Sequence, residues 1–522
     1  MPRQPATSMA TGSTPEDSIG KGAYMALAAA LLGWMFDGAE MGVFSMVGQQ
    51  ALKDLMSDST DADRSLWFGV ITAGFLVGAA TGGVVFGWLG DRIGRVRAMT
   101  LSVLVYALFT GLGGFAGSAL QLGLLRFIAA LGMGGEWSLG VALVMEVWPN
   151  RSRAFMAGLI GAAANVGYLL VGVVGIGLSS ILLSLGSWLP SLGFSSETTA
   201  MLLKNDGWRI MMMLGTTPAL LTFFIRIFVP ESERWMHEKE SGKVNNWANR
   251  DLIGVLIGAA GPMLIVYLWT APHNTILRIL GTIAGLAIAL VGYTYPVIQY
   301  LKRLTSQDHA RSGVSAHGWK PVLGRMLLGA GLSGVALLGT WGAAQWAPKW
   351  SKGLATGDDL IFCAQYTQIC SAAGAIVGTI LAALAGDWLG RRVTYTLMCI
   401  TAFISVLAFY LGNTEYGTSF LVGAFFVGVF SASFYGWLPL YLPELFTTNV
   451  RATGQGFSFN FGRIIAAVGA LQVGNLFLFK YEYGGRVFEK EPLACSVMAL
   501  IYIVGVVLIW FAPETKGKAL PE

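Results

Sequence analysis

The chain has 522 residues, 54% of them hydrophobic and 12% charged, with 69 glycines, 17 tryptophans and a formal net charge of +5. No water-soluble globular protein of this length is so apolar, so the bilayer is its solvent. There is no GxxxxGK nucleotide loop, no metal-ligand cluster and no nucleophile beside a plausible base, which argues against an enzyme and against transport driven by ATP.

The first twenty residues are polar and lack the basic-then-apolar order of a cleaved signal peptide, so the first apolar helix is expected to stay as an anchor. A spanning helix needs roughly 20 mostly apolar residues, and that template gives about fourteen spans. They fall at 22–45, 66–88, 98–117, 119–145, 154–185, 207–229, 251–270, 277–300, 322–346, 364–388, 393–411, 419–443, 453–479 and 493–512. The fold class expected is an all-α polytopic membrane protein. Its organisation reads as a tail (1–21), a six-helix half (22–229), a central linker (230–320) holding two extra helices at 251–270 and 277–300, a second six-helix half (321–512) and a second tail (513–522).

Two signatures repeat at nearly the same interval. Gly90, Asp91, Gly94 and Arg95 return as Gly386, Asp387, Gly390 and Arg391. Glu146 and Arg153, seven apart, return as Glu444 and Arg451, and a glycine stands twelve residues after each glutamate, at Gly158 and Gly456. Two like halves are implied. A six-plus-six arrangement would space such repeats by roughly 200 residues; here they lie nearly 300 apart, and the pair at 251–270 and 277–300 accounts for the excess as a peripheral hairpin. The second copy departs from the first, with Ala383 in the place of Gly87 and Trp388 in the place of Arg92.

Short loops rich in Lys and Arg mark the cytoplasmic side. Arg92, Arg95 and Arg97, then Arg151 and Arg153, the linker cations and Arg391 with Arg392 all fall on one side, while Asp54, Asp58, Asp61 and Asp63 fall on the other. Both termini are therefore expected in the cytoplasm, in an inner (plasma) membrane. The four cysteines, Cys363, Cys370, Cys399 and Cys495, read as reduced helix-packing residues. All four histidines are expected in loops, so any proton relay must rest on carboxylates.

Each ionisable group at bilayer depth costs about 2.5 to 3.5 kcal/mol on insertion scales and asks for a reason. Asp37 and Glu40 stand three apart on one face of the first helix, beside Gly38 and Gly42, which would allow close packing. Arg126 and Glu136 lie about 15 Å apart along the fourth helix. Counted inward from the extracellular ends, Glu40 and Arg126 reach similar depth, so Arg126 is expected to pair with Glu40 or Asp37. An anionic substrate taking over that arginine would release a carboxylate to bind a proton; the alternative is a permanent ion pair locking two helices. Glu136 has the further option of a cytoplasmic-side gate. Arg463, with Asn460 on the same face, is the candidate from the second half for a substrate carboxylate. Gln345, Gln365 and Tyr366 could line the same cavity, or simply pack.

GWLGDRIGRVR, Gly87 to Arg97, resembles the signature between the second and third helices of the major facilitator superfamily, and GDWLGRR at Gly386 stands where its echo belongs. That resemblance implies the major facilitator fold and covers all but the N-terminal tail and the inserted pair. The stretch from Arg126 to Gly158 is similar to sialate and lactate permeases of the sialate:proton symporter group, and more loosely to metabolite and aromatic-acid symporters. Sialate permeases of that group also carry two extra helices in the linker. PESERW at Pro230 and PETKG at Pro513 resemble sugar porters. The resemblance implies cytoplasmic charge networks that govern rocking of the halves: Asp91, Arg92 and Arg95; Glu146 with Arg153; Asp387 with Arg391; Glu444 with Arg451.

These readings converge on a monomeric secondary transporter moving a small organic anion (sialate, lactate or another carboxylate) with a proton, sodium being an alternative ion. A sugar or polyol permease and a transporter-like sensor are the rivals. No cofactor and no nucleic-acid partner is expected.

Overall fold

The computed structural model describes residues 21–135, 141, 152–217, 249–270, 274–312, 318–447, 450–518 and 520–521. Among them, nine helices are long and apolar enough to cross a membrane, and two shorter apolar helices, Ala119–Met133 and Ile253–Trp269, accompany them. The first half is built on α1 (Lys21–Leu55), α2 (Asp61–Ile93), α3 (Arg95–Leu112), α4 (Ala119–Met133), α5 (Arg153–Ser191) and α6 (Ser196–Leu214). An extra pair follows, α7 (Asn249–Thr270) and α8 (Thr275–Ser312). The rest comprises α9 (Trp319–Gly342), α10 (Ala347–Leu354), α11 (Cys363–Leu389), α12 (Arg391–Gly412), α13 (Thr418–Ala432), α14 (Phe434–Tyr441), α15 (Arg451–Leu476), α16 (Lys490–Ala499) and α17 (Ile501–Leu508).

Several expected spans come out differently. The span at 419–443 divides into α13 and α14 at Ser433, and the last divides at Leu500. The sixth is preceded by a break at Lys204–Gly207, where Asn205, Asp206 and Gly207 hold φ of 49°, 63° and 64°. α8 continues to Ser312, so His309 lies on a helix and not in a loop. The chain is also not purely helical. Lys480–Tyr483 and Arg486–Glu489 form an antiparallel hairpin, because Gly484 and Gly485 at φ 59° and 75° supply the left-handed turn that such strands need.

The repeated loop signature has one backbone meaning in both copies. Gly94 and Gly390 sit at φ 108° and 97°, in the N-cap positions of α3 and α12, where a side chain would be strained. The glycines of the spans act by proximity: a Cβ on Gly38 would strike the backbone of Ala164, so α1 and α5 meet almost backbone to backbone.

The two sets of helices meet along two seams, α2 against α15 and α5 against α11. The α7–α8 pair packs mainly on α2. Its Tyr293 is buried, shares a 2.7 Å hydroxyl bond with Thr81 of α2 and meets Phe461 of α15 edge-on at 6.3 Å. Ile253, Ile257, Leu280 and Ile283 face outward, as lipid-facing positions should. The four cysteines are free, and three of them are buried.

Candidate functional site

Where the seams meet, a central cavity of about 120 Å³ is lined by Trp34 and Asp37 of α1, Asn165 and Tyr168 of α5, Trp341 of α9, Gln345, Tyr435 of α14 and Arg463 of α15. Arg463 is buried. Its Nη1 donates to Asn460 Oδ1 at 2.9 Å, one helical turn earlier, and at 3.4 Å to the carbonyl of Ala79 on α2. Its guanidinium carbon lies 4.9 Å from the Phe459 ring centre. Asp37 lies within Coulombic reach. Among the described residues, the cavity therefore presents one cation, Arg463, bonded to neutral acceptors, and one carboxylate, Asp37.

Glu40 sits elsewhere. Arg126 Nη1 donates to Glu40 Oε1 at 2.6 Å, and Thr110 adds a 3.0 Å bond to the same oxygen. Both charged side chains are 1% exposed. The guanidinium is sandwiched between Phe44 and Phe75, 4.7 Å from each ring centre. Phe75 lines the cavity; Arg126 and Glu40 do not. Three residues on a helix amount to about 4.5 Å of rise and a turn of about 300°. Asp37 and Glu40 thus share a side of α1 yet fall in different compartments.

The remaining binding candidates separate in the same way. Gln345 reaches the cavity, whereas Gln365 bonds Ser179 at 3.1 Å and Tyr366 is 45% exposed against Phe362. Neither lines the cavity: 100° per residue carries Tyr366 off the face on which α11 turns Ser371, Ala372 and Ala375 toward it, while Gln365 shares the side of Ala372 but lies about 10 Å, two turns, away along the axis. Asn460 supports Arg463 from outside the lining. Sequence reasoning missed Trp34, Asn165, Tyr168, Trp341 and Tyr435. The available signal was a lone polar or aromatic residue within an apolar helix, as Asn165 is in AAANVGY.

One end of the molecule carries a charge cluster. Arg391 grips Glu444 with two bonds, Nε to Oε2 at 2.9 Å and Nη2 to Oε1 at 2.6 Å, and lies 3.6 Å from Asp387. Thr515 donates to Glu444 at 2.6 Å. Glu514 accepts the backbone N–H groups of Arg391 and Arg392 at 3.0 and 3.1 Å, capping α12, so the PET segment ties the tail to this cluster. Burial pushes the Glu514 carboxyl up, but the backbone donors from Arg391, Arg392, Lys516 and Thr515 outweigh it and hold it below its usual range. Arg153 is buried within Coulombic reach of Glu444 and Arg451, and Arg451 donates to the Pro521 carbonyl at 2.6 Å. Glu136 and Glu146 lie outside the described residues, as do the side chains of Asp91, Arg92 and Arg95.

The opposite end opens into a vestibule of about 820 Å³. Ser45 lies at its base, sharing a 2.8 Å bond with Tyr168 and donating at 3.3 Å to the Gln345 carbonyl; the Tyr168 hydroxyl donates to Gln345 Oε1 at 3.2 Å. This plug separates vestibule from cavity. Higher up, Lys349 of α10 bonds Ser65 of α2 at 2.7 Å and Lys352 pairs with Asp206 at 2.7 Å, joining the two sets of helices.

A cavity at the junction of two helix sets, with a charge cluster at one end and a polar plug at the other, is an arrangement that could expose one central site to either face of a membrane in turn. The profile of the Sugar (and other) transporter family matches residues 23–246. The chain is 28% identical to the probable 4-methylmuconolactone transporter of Cupriavidus pinatubonensis, over 94% of this chain and 90% of that one. It is 24% identical to the cis,cis-muconate transport protein of Acinetobacter baylyi, over 93% and 94%. The structure of the proton:xylose symporter XylE of E. coli superposes with a TM-score of 0.63 at 19% identity, covering 96% of this chain and 98% of XylE. The chain thus has the fold of that symporter and is similar along nearly its whole length to membrane transport proteins.

Proposed function

We propose that the chain is a proton-coupled symporter of a compact organic anion, working by alternating access as a monomer in the inner (plasma) membrane with both termini cytoplasmic. The observation that carries this reading is Arg463 on the cavity wall with Asp37 in its field. A substrate carboxylate docking on the guanidinium takes over the charge that compensates Asp37, and a proton on Asp37 restores neutrality in a site where uncompensated charge is costly. Glu40, whose Oε2 is buried without a hydrogen-bond partner among the described residues, offers the next place for that proton behind the cavity. Breaking the Arg391–Glu444 and Arg153 cluster at one end, and the Ser45–Tyr168–Gln345 plug at the other, would expose the site alternately.

The small cavity favours a ring-cleavage or aromatic acid over sialate, since pockets for larger ligands begin near roughly 300 Å³. The relatives that carry muconate and methylmuconolactone support the same class. A sugar permease remains the rival, favoured by the family profile at residues 23–246. Uptake in proteoliposomes under an inward proton gradient, with labelled muconate, benzoate, lactate, sialate and glucose, tests both. Gradient-driven entry of one acid, lost in Arg463→Ala, is expected. Glucose entry indifferent to that substitution would replace the anion with a sugar.

A further inference from the structure

We propose that Phe75 is the shutter between the substrate cavity and the buried Glu40–Arg126 pair, and so the residue that makes proton movement conditional on substrate; this rests on the symport reading above. The pair is bracketed by two rings that differ in how they are held. Phe44 is anchored, stacked on Phe68 at 4.9 Å, which in turn meets Trp346 at 4.9 Å, itself against Phe477 at 5.1 Å. Phe75 lines the cavity and, among the described residues, leans on one further ring, Trp341 of α9, tilted 44° at 5.6 Å. Trp341 belongs to the opposite set of helices and lines the cavity too. A ligand in the cavity, or rocking of α9 against α2, therefore moves the partner that Phe75 rests on.

Phe75 has two tasks in the closed position. Its face holds the Arg126 guanidinium through a cation–π contact, and its bulk keeps cavity water from Glu40. Asp37 stands on the cavity side of the ring and Glu40 behind it, so a proton passes between the carboxylates only when the ring swings. Each passage moves one proton from one carboxyl to the other, with no other bond made or broken. Phe75 is on this account a positioning residue, acting through the pair behind it.

The test needs no knowledge of the substrate. Proteoliposomes carrying a pH dye, with potassium and valinomycin to clamp the potential, report proton flux without any ligand. Wild type should be tight. Phe75→Leu and Phe75→Met, which both keep most of the volume without the ring, should leak about tenfold faster. Adding Glu40→Gln to either should abolish the leak. No leak in both single variants overturns the proposal, and so does a leak that persists when Glu40 is neutral, because the path then bypasses the pair. Uptake of muconate in the same vesicles separates the two levels. If wild-type uptake is gradient-driven but Phe75 variants are tight, the shutter fails alone; if wild-type uptake of every acid in the panel ignores the gradient, both fall together.

Discussion

Arg126 and Arg463 are two answers to the same problem. Each is a guanidinium buried among apolar helices, one on α4 and one on α15, and each lies against aromatic rings at 4.7 to 4.9 Å. Arg126 has its countercharge 2.6 Å away and is shut from the cavity by Phe75. Arg463 is supported by an amide and a carbonyl, with Asp37 acting at longer range, and it opens on the cavity. A buried cation given a full partner becomes part of the scaffold. One given neutral acceptors keeps its charge available for a ligand.

That contrast can be broken most severely at the paired site. Arg126→Leu leaves a buried carboxylate without its cation, and thermal unfolding in detergent should report a loss of about 3–5 kcal/mol. The same truncation at Arg463 should do far less to stability. Its effect belongs to binding: Arg463→Ala removes a charge-assisted contact of about 1.5–3 kcal/mol, so muconate affinity should fall about 10- to 100-fold by equilibrium binding. If the two substitutions trade effects, the assignment of scaffold and site is reversed.

A subtler change sharpens the comparison. Asp37→Asn removes the competitor in the field of Arg463 and should leave acid binding intact while uptake ceases to follow a proton gradient. Retained gradient dependence would move the coupling role to Glu40 alone.

The smallest effect is expected at a third buried arginine, Arg391, whose helix is capped by Glu514. The Glu514 carboxyl is held below its ordinary value, so its support is present at neutral pH and disappears as pH falls through that lowered value. Wild type and Glu514→Gln should therefore differ in thermal midpoint at pH 7 and converge in acid, below about pH 4.

The sequence settled what depends on local composition. Apolar runs long enough to span a bilayer, the paired loop signatures and the few charges stranded at membrane depth are all written along the chain. They were enough to give the fold class and to single out the arginines and carboxylates that the chain carries to membrane depth. Only the tertiary structure decided which carboxylate meets which arginine, because that depends on how helices rotate and tilt against one another, and glycine contacts such as Gly38 on Ala164 fix those rotations. The sequence left Asp37 and Glu40 as equal candidates for Arg126. One helical turn, combined with the close approach of α1 to α5, turned Asp37 to the cavity and Glu40 to the sealed pair. Rotation carried Tyr366 away from the cavity and distance along α11 carried Gln365, while Asn165, Tyr168 and Tyr435 came in. Hydropathy reports how deep a residue lies, whereas the direction it faces is set by packing between helices far apart in the chain.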